Sequence, residues 1–486
     1  MSSPGCNTHG TRGSEPSQDV EKQEISVLES AKQEEVLSTN DPELDPEAER
    51  RLVRSIDVRI VPASMAIYLL CSLDRSNIGN AKILNSNTGH SLLQTLHMTN
   101  QRYLVALMIF FVSYTVFETP SNYMLKKFHP SRWIAFLMFS WGAMTMVLGG
   151  VKNFGGLIAV RFLLGMFEAG LFPGMVYVLT FWYRPEERAL RIALILASAT
   201  LGGAFGGAIA YGVGKLNSVH GIEAWRYLFI IEGAPSCAGA VLVWMFYPET
   251  VPWLSEAQRE LSMARLKGVA SLGHHRITWA EAKETLRDYR LYVHYLTYIT
   301  ISVPFSSMSL FSPTIVSGLG YEGLNAQLFT VPPYAIAFVI TVSVAWVSDK
   351  YEIRTLGCSI SMLIAGASFV VEGALPAESF KLRYVFFIIA LSFAFACIPP
   401  LLSWLTANLR GTGAATLAVP LNVSIGQIGQ IIGVYIYKAN ESPGYPTGHY
   451  TNACFLLVGA FAVLGLRVMY IQRNKRLEPG ARRWRL

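Results

Sequence analysis

Charge is scarce in this sequence: Asp, Glu, Lys and Arg make up 15% of its 486 residues, against about 25% in an ordinary soluble domain. With 52% hydrophobic residues, this shortage excludes a larger soluble core and points to lipid. Cysteine chemistry is missing as well. Cys6, Cys71, Cys237, Cys358, Cys397 and Cys454 lie far apart with no Cys-x-x-Cys, and five of them sit in apolar blocks. That excludes a disulfide or zinc framework and makes them small core residues. No Walker loop, Cys/His metal spacing or nucleophile elbow is present, so ATP-driven work and membrane enzymology have no support and neither cofactor nor metal is expected. A basic start followed by an apolar core within about 30 residues, the mark of a secretory signal, is also lacking.

Residues 1–50 carry 4 Lys/Arg against 12 Asp/Glu with almost no sustained apolar run, which predicts a disordered, cytosolic acidic tail. The rest of the chain then carries +15 of the total +7. A nucleic-acid binder would gather that excess in one solvated patch; here it is scattered through short loops between apolar blocks, as bilayer anchoring requires. No nucleic-acid partner is expected, only membrane lipid around a chain that works as a monomer.

A helix needs about 20 apolar residues to cross a hydrocarbon core of about 30 Å. Twelve such runs can be placed: 58–82, 102–125, 131–150, 155–182, 188–213 and 224–247 in the first half, then 291–317, 325–348, 354–374, 382–405, 408–437 and 450–471 in the second. The fold class is therefore an all-α polytopic membrane protein with 12 transmembrane helices in two six-helix halves. The expected organisation is a disordered acidic tail over 1–55, a first half over 56–247, a linker over 248–290, a second half over 291–471 and a basic tail over 472–486. The linker, with 7 Lys/Arg, 6 Asp/Glu and helical spacing of Leu254, Leu261 and Leu266, should hold one or two amphipathic helices. Six runs, a linker and six runs match the two-half plan of major facilitator transporters, in which each half encloses inverted three-helix repeats.

Lys and Arg gather on the cytoplasmic side of membrane proteins. Lys126, Lys127 and Arg132 follow segment 2, Arg184, Arg188 and Arg191 follow segment 4, Lys350 and Arg354 follow segment 8, and six bases from Arg473 to Arg485 end the chain. All fall on one side of an even-numbered bundle, which predicts cytoplasmic termini. The sequon Asn440-Glu441-Ser442 lands on the opposite side.

Ionisable groups inside apolar segments are the sharpest chemical signal, since each costs roughly 2.5 to 3.5 kcal/mol at a helix centre. Segment 1 contains Asp74 and Arg75, and segment 4 contains Arg161 and Glu168; unpaired, the four would cost on the order of 10 kcal/mol. A shared polar cavity is the economical expectation. Arg161 and Glu168, seven residues apart, return to within about 20° of one another at about 10.5 Å separation on a helix. Burial raises a carboxylate pKa and a nearby Arg lowers it, so Asp74 and Glu168 are candidate proton-binding acids. Arg75 and Arg161 are candidates for an anionic group, which a guanidinium fork fits. The alternative is internal salt bridging, Asp74 with Arg161 or Arg75 with Glu168.

Glu118 and Glu232, each beside proline and toward the predicted cytoplasmic end, read as gating or packing residues, as do Asp349 and Arg354 in the charged turn VSDKYEIR. The second-half segments contain almost no charge and offer Tyr292, Tyr295, Tyr298, Asn408, Asn422, Gln427 and Gln430 instead; Tyr298 and Asn422 are candidate substrate contacts. His294 is the only histidine well inside a predicted segment and reads as packed or hydrogen-bonded. Gly202/Gly206 and Gly203/Gly207 make overlapping Gly-x-x-x-Gly pairs, a signal of close helix contact.

The stretches LDRSNIGNAKI (73–83), FETPSNYMLKKFHPSRW (117–133), RFLLGMFEAGLFPGMVYVLTFWYRPEERALRIA (161–193), WRYLFIIEGAPS (225–236) and VSDKYEIR (347–354) resemble the anion:cation symporter family of the major facilitator superfamily, in its fungal allantoate permease-like branch. The resemblance implies secondary transport of a carboxylate metabolite such as allantoate, nicotinate or pantothenate, by proton symport at the plasma membrane. By matching position it makes Asp74 and Glu168 the proton-linked acids and places Arg75 and Arg161 beside the substrate. Segment 5 lacks the Gly-Pro element that resembles the superfamily's antiporter signature, which favours symport. The loop ANLRGTGAATLAVP departs from the basic Thr-Lys-Arg stretch of relatives. Two other readings share the chain: an exporter or facilitator of a secondary metabolite on the same fold, and a non-transporting nutrient sensor.

Overall fold

The computed structural model describes residues 45–247, 254–266, 279–321, 323–409, 412–477 and 483–485. Contacts divide the chain into two compact units, 1–52 and 53–486. In the first, the described residues open the helix Pro46–Ile83, where Arg51 and Glu47 make an exposed pair at 3.9 Å. The acidic tail ahead of residue 45 lies outside the described residues. The second unit holds the helical bundle, and no strand occurs among its described residues.

Among the described residues, twelve spans are long and apolar enough to cross a membrane. Spans 1 to 6 are Pro46–Thr88, Asn100–Leu125, Pro130–Leu148, Phe154–Thr180, Leu190–Gly214 and Ala224–Phe246. Spans 7 to 12 are Tyr289–Gly318, Leu324–Lys350, Arg354–Ala374, Phe380–Ala407, Leu417–Tyr435 and Pro446–Lys475. They overlie the apolar runs read from the sequence, with two informative differences. Span 1 starts at Pro46 instead of 58, because Glu47 and Glu49 suit a helix's positive N-terminal end although they end an apolar run. Span 11 starts later than expected, its helix opening at Thr412.

Local chemistry sets the breaks. Thr99 and Asn153 cap spans 2 and 4 by accepting from Arg102 N and Gly156 N. Proline opens the helices at Pro130 and Pro185, where its missing N–H costs nothing. Span 4 is two helices, Phe154–Glu168 and Leu171–Thr180, because Gly170 takes a left-handed φ of 83° against Ser121. Span 10 is likewise Phe380–Ala396 and Ile398–Ala407, interrupted where Pro399 and Pro400 remove successive N–H donors.

The two halves repeat one packing plan. Span 3 packs on 6, 2 on 4 and 3 on 4, and the equivalent pairs 9 on 12, 8 on 10 and 9 on 10 recur in the second half. Spans 5 with 8 and 2 with 11 join the halves. The overlapping glycine pairs serve two different neighbours: Gly202 and Gly206 admit Ser72, Leu73 and Asn80 of span 1, while Gly203 and Gly207 admit Tyr334, Thr330 and Gln327 of span 8. One small-residue helix thus seals its own half and the interface together. Between the halves, the described linker residues form helices Glu256–Leu266 and Trp279–Arg287. Arg265 of the first pairs with Glu187, and Arg184 Nε donates to the Arg265 carbonyl at 3.2 Å, tying the linker to the turn between spans 4 and 5.

Candidate functional site

A narrow cavity lies between the halves. Tyr68, Arg75, Tyr114, Phe172 and Leu196 form its first-half wall. Tyr298, Ile301, Ser302, Phe305 and Ile398 face them, with Val423, Gln427 and Gln430 of span 11. Among the described residues, Arg75 is the only charged one in this wall.

Arg75 Nε donates to Glu168 Oε1 at 2.7 Å, and its Nη2 bonds the same oxygen. Cys71 Sγ donates to that oxygen at 3.0 Å, while Glu168 Oε2 has no partner. Glu168 is the last residue of its helix, where the backbone dipole is negative, so Arg75 offsets both the side chain and the helix end. The Arg75 guanidinium lies over Phe110 and Tyr114, at 5.5 and 5.3 Å from the ring centroids. Arg161 lies 5.6 Å from the same Phe110 ring, is 1% exposed, and makes no ion pair among the described residues. Two guanidiniums therefore gather around one aromatic ring, and Glu168 bonds one of them.

The shared cavity expected for all four ionisable residues is corrected here. Asp74 turns away from the cavity and accepts from Trp141 Nε1 of span 3 at 3.1 Å and Ser236 Oγ of span 6 at 2.6 Å. Successive helical residues diverge by about 100°, so Asp74 and Arg75 must face different neighbours. Of the two salt bridges read as alternatives, Arg75 with Glu168 forms and Asp74 with Arg161 does not.

Tyr298 lines the cavity; Asn422 is buried next to the wall residue Val423 without lining it. Glu118 is fully buried and accepts from Ser424 Oγ of span 11 at 2.8 Å, across the two halves. Glu232 lies nearer the start of span 6 than its end, instead of toward the cytoplasmic side expected for it. Arg354 donates to Asp349 Oδ1 at 2.5 Å, closing the turn between spans 8 and 9. His294 is packed edge-on to Trp404, with Tyr470 Oη 3.4 Å from Nε2.

The reading of an almost uncharged second half is also corrected. Glu372, Arg383 and His449 are fully buried there, with His449 Nδ1 3.5 Å from Glu372 Oε2. Glu372 and Arg383 sit near segment ends and were visible as charges; His449 enters because span 12 starts at Pro446. The aromatic wall formed by Tyr68, Tyr114, Phe172 and Phe305 had no such signal, because an aromatic residue in a run that is apolar all round looks the same whichever way it faces.

The sequence profile of the Major Facilitator Superfamily matches residues 65–434. The chain is 56% identical to MFS transporter prlL of Fungal sp. (strain NRRL 50135) over 439 residues, covering 89% of each protein. It is 32% identical to the MFS-type transporter cnsO of Penicillium expansum, over 89% of this chain and 85% of that one. Among solved structures, a bacterial homologue of the human lysosomal transporter Spinster, inward-facing and unoccupied, superposes with a TM-score of 0.63 at 17% identity, over 88% of this chain and 99% of that one. That likeness concerns the fold.

Proposed function

Since the chain belongs to the Major Facilitator Superfamily and is a multi-pass membrane transporter, we propose that it carries a small organic anion by alternating access, coupled to protons. The observation that supports this reading is Arg75 itself, a guanidinium in the cavity wall that is held by Glu168 and lies over Phe110 and Tyr114. A guanidinium in a cavity wall suits a carboxylate, which it can bind in a fork.

In the empty carrier Glu168 occupies Arg75. A substrate carboxylate arriving at Arg75 competes with Glu168 for the same N–H donors. Once released, Glu168 is a buried acid without its cation, a state that costs several kcal/mol if it stays ionised, so it takes up a proton. Anion and proton therefore load together. Rocking of the two six-helix halves around the cavity then exposes it to the other side, with the span 5 to span 8 and span 2 to span 11 contacts as the surfaces that part.

The test is uptake of a panel of labelled carboxylates in a host lacking its own carriers, with and without a proton uncoupler. One carboxylate should accumulate against its gradient, and the uncoupler should abolish accumulation. Uptake indifferent to the uncoupler would sink the coupling. A second reading, export of an amphipathic metabolite, draws on the apolar and aromatic residues that make up most of the wall. It is separated from the first by the direction of flux in vesicles under an imposed pH gradient.

Both termini are proposed to be cytoplasmic, on the strength of the basic loops after the even-numbered spans. An epitope tag after Leu486 should bind antibody only in permeabilised cells; binding to intact cells would reverse the orientation.

A further inference from the structure

Span 1 carries a second cation beyond Arg75: Lys82, in the last turn of the helix Pro46–Ile83. Seven residues return to nearly the same helix face about 10.5 Å further along, so Arg75 and Lys82 stand one above the other. Span 2 repeats the interval. Its Phe110 lies against the Arg75 guanidinium, and its Tyr103, seven residues earlier, has its ring centroid 5.0 Å from Lys82 Nζ. A column of cations on span 1 thus faces a column of rings on span 2. Both run from the cavity toward the end of span 1 away from the N-terminus, the external side in the orientation proposed above.

Lys82 also touches the other half. Its Nζ lies 5.3 Å from the ring centroid of Phe311 on span 7, so one ammonium meets a ring from each six-helix half at cation–π distance. Gly79, one turn before Lys82 on the same face, makes this approach possible, because a Cβ there would collide with the carbonyl oxygen of Leu310. Beside it, Gln327 Nε2 of span 8 donates to the Asn80 carbonyl at 3.1 Å. The halves are shut on this side of the cavity, and Lys82 sits in the seam.

The protein gives Lys82 rings but no counter-charge. Tyr103 is fully buried and Phe311 nearly so, Lys82 is half-buried, and among the described residues it makes no hydrogen bond and no ion pair. The negative end of the span 1 helix favours its charge without engaging its three N–H donors. A carboxylate supplies both charge and acceptors, in hydrogen bonds stronger than neutral ones. When the halves part, Phe311 leaves with span 7 while Tyr103 stays with the first half, so the side of Lys82 that Phe311 covers is the side that opens.

We infer that Lys82 is an outer binding position for the carboxylate of the transported anion, reached once Phe311 withdraws and followed by transfer to Arg75 two turns deeper. Rings flank both positions, Tyr103 and Phe311 at Lys82 and Phe110 and Tyr114 at Arg75. The ligand class they suit is a carboxylate on an apolar or aromatic body. The part played in transport rests on the anion-carrier reading; binding of a carboxylate at Lys82 does not.

The test is acylation of lysines in the purified full chain by sulfosuccinimidyl acetate, followed peptide by peptide by mass spectrometry. Benzoate is the anion and benzamide its neutral match, at equal ionic strength. Benzoate should protect Lys82 saturably, slowing its acylation about tenfold at about ten times the half-protecting concentration. Benzamide should not, and the exposed Lys215 should react at one rate throughout. Equal rates at Lys82 in benzoate and benzamide overturn the proposal. Protection should persist in Arg75→Ala; protection that vanishes there belongs to Arg75 and overturns it too. In transport, Lys82→Met should raise the KM of uptake about tenfold for the loss of one charge-assisted contact, and Lys82→Arg should restore it. A KM unmoved by Lys82→Met removes Lys82 from the path. If no carboxylate of the uptake panel accumulates, the anion-carrier reading fails while protection at Lys82 still decides this one.

Discussion

Arg75→Ala is expected to weaken uptake of the transported anion about tenfold to a hundredfold, read as a rise in KM. A hydrogen bond to a charged group contributes about 1.5 to 3 kcal/mol, and each 1.4 kcal/mol is about tenfold in affinity. Among the described residues Arg75 is the only charged one in the cavity wall, so none of its described neighbours there can replace it. The same change strips Glu168 of its cation in a site where it is 1% exposed. Breaking a buried pair by removing one partner costs about 3 to 5 kcal/mol, so the purified variant should also melt lower. Arg75→Lys separates the two effects: it restores a charge for Glu168, and with it stability, but lacks the planar fork that grips a carboxylate. Recovery of melting temperature without recovery of KM is the expected pattern. A KM unchanged in Arg75→Ala would remove Arg75 from the substrate site.

Glu168→Gln should abolish concentrative uptake while leaving exchange of preloaded substrate intact. The amide has nearly the same shape and its carbonyl can still accept from Arg75 and Cys71, which both bond Oε1 in the native protein. What it cannot do is carry a charge or exchange a proton near neutral pH. The accumulation ratio should fall to that of passive equilibration and become indifferent to an uncoupler. Substrate no longer has to displace a carboxylate from Arg75, so KM should fall, on the order of tenfold for a contest worth about 1.4 kcal/mol. Loss of accumulation with a lower KM is a combination that simple misfolding does not produce. Preserved accumulation would assign coupling elsewhere.

The bundle itself was legible because a helix that crosses lipid announces itself by length. All twelve spans were visible as apolar runs, down to residues 354–374, where the expected segment and the helix Arg354–Ala374 coincide. The interruptions in spans 4 and 10 were written in Gly170 and in Pro399–Pro400, although their meaning needed the neighbours. Arg75 and Glu168 were legible as a possible pair, since either of two bridges would have satisfied the four charges. Asp74 was misplaced. Its charge marked it as buried and partnered, but nothing in the sequence brings Trp141 and Ser236, 67 and 162 residues away, to its side.

Composition and run length by themselves determined that this chain threads lipid, how many times it does so, and that a few charges on spans 1 and 4 had to find partners there. Both follow from the cost of exposing polar groups to hydrocarbon, a cost that depends on position along one helix and not on its neighbours. Only the tertiary structure decided which way each helix is turned. In spans that are apolar all round, lipid and protein neighbours are nearly equivalent surroundings, so the sequence carries almost no record of helical phase. Packing set that phase, and with it placed Arg75 against Glu168 at the cavity and Asp74 against Trp141 and Ser236 behind it.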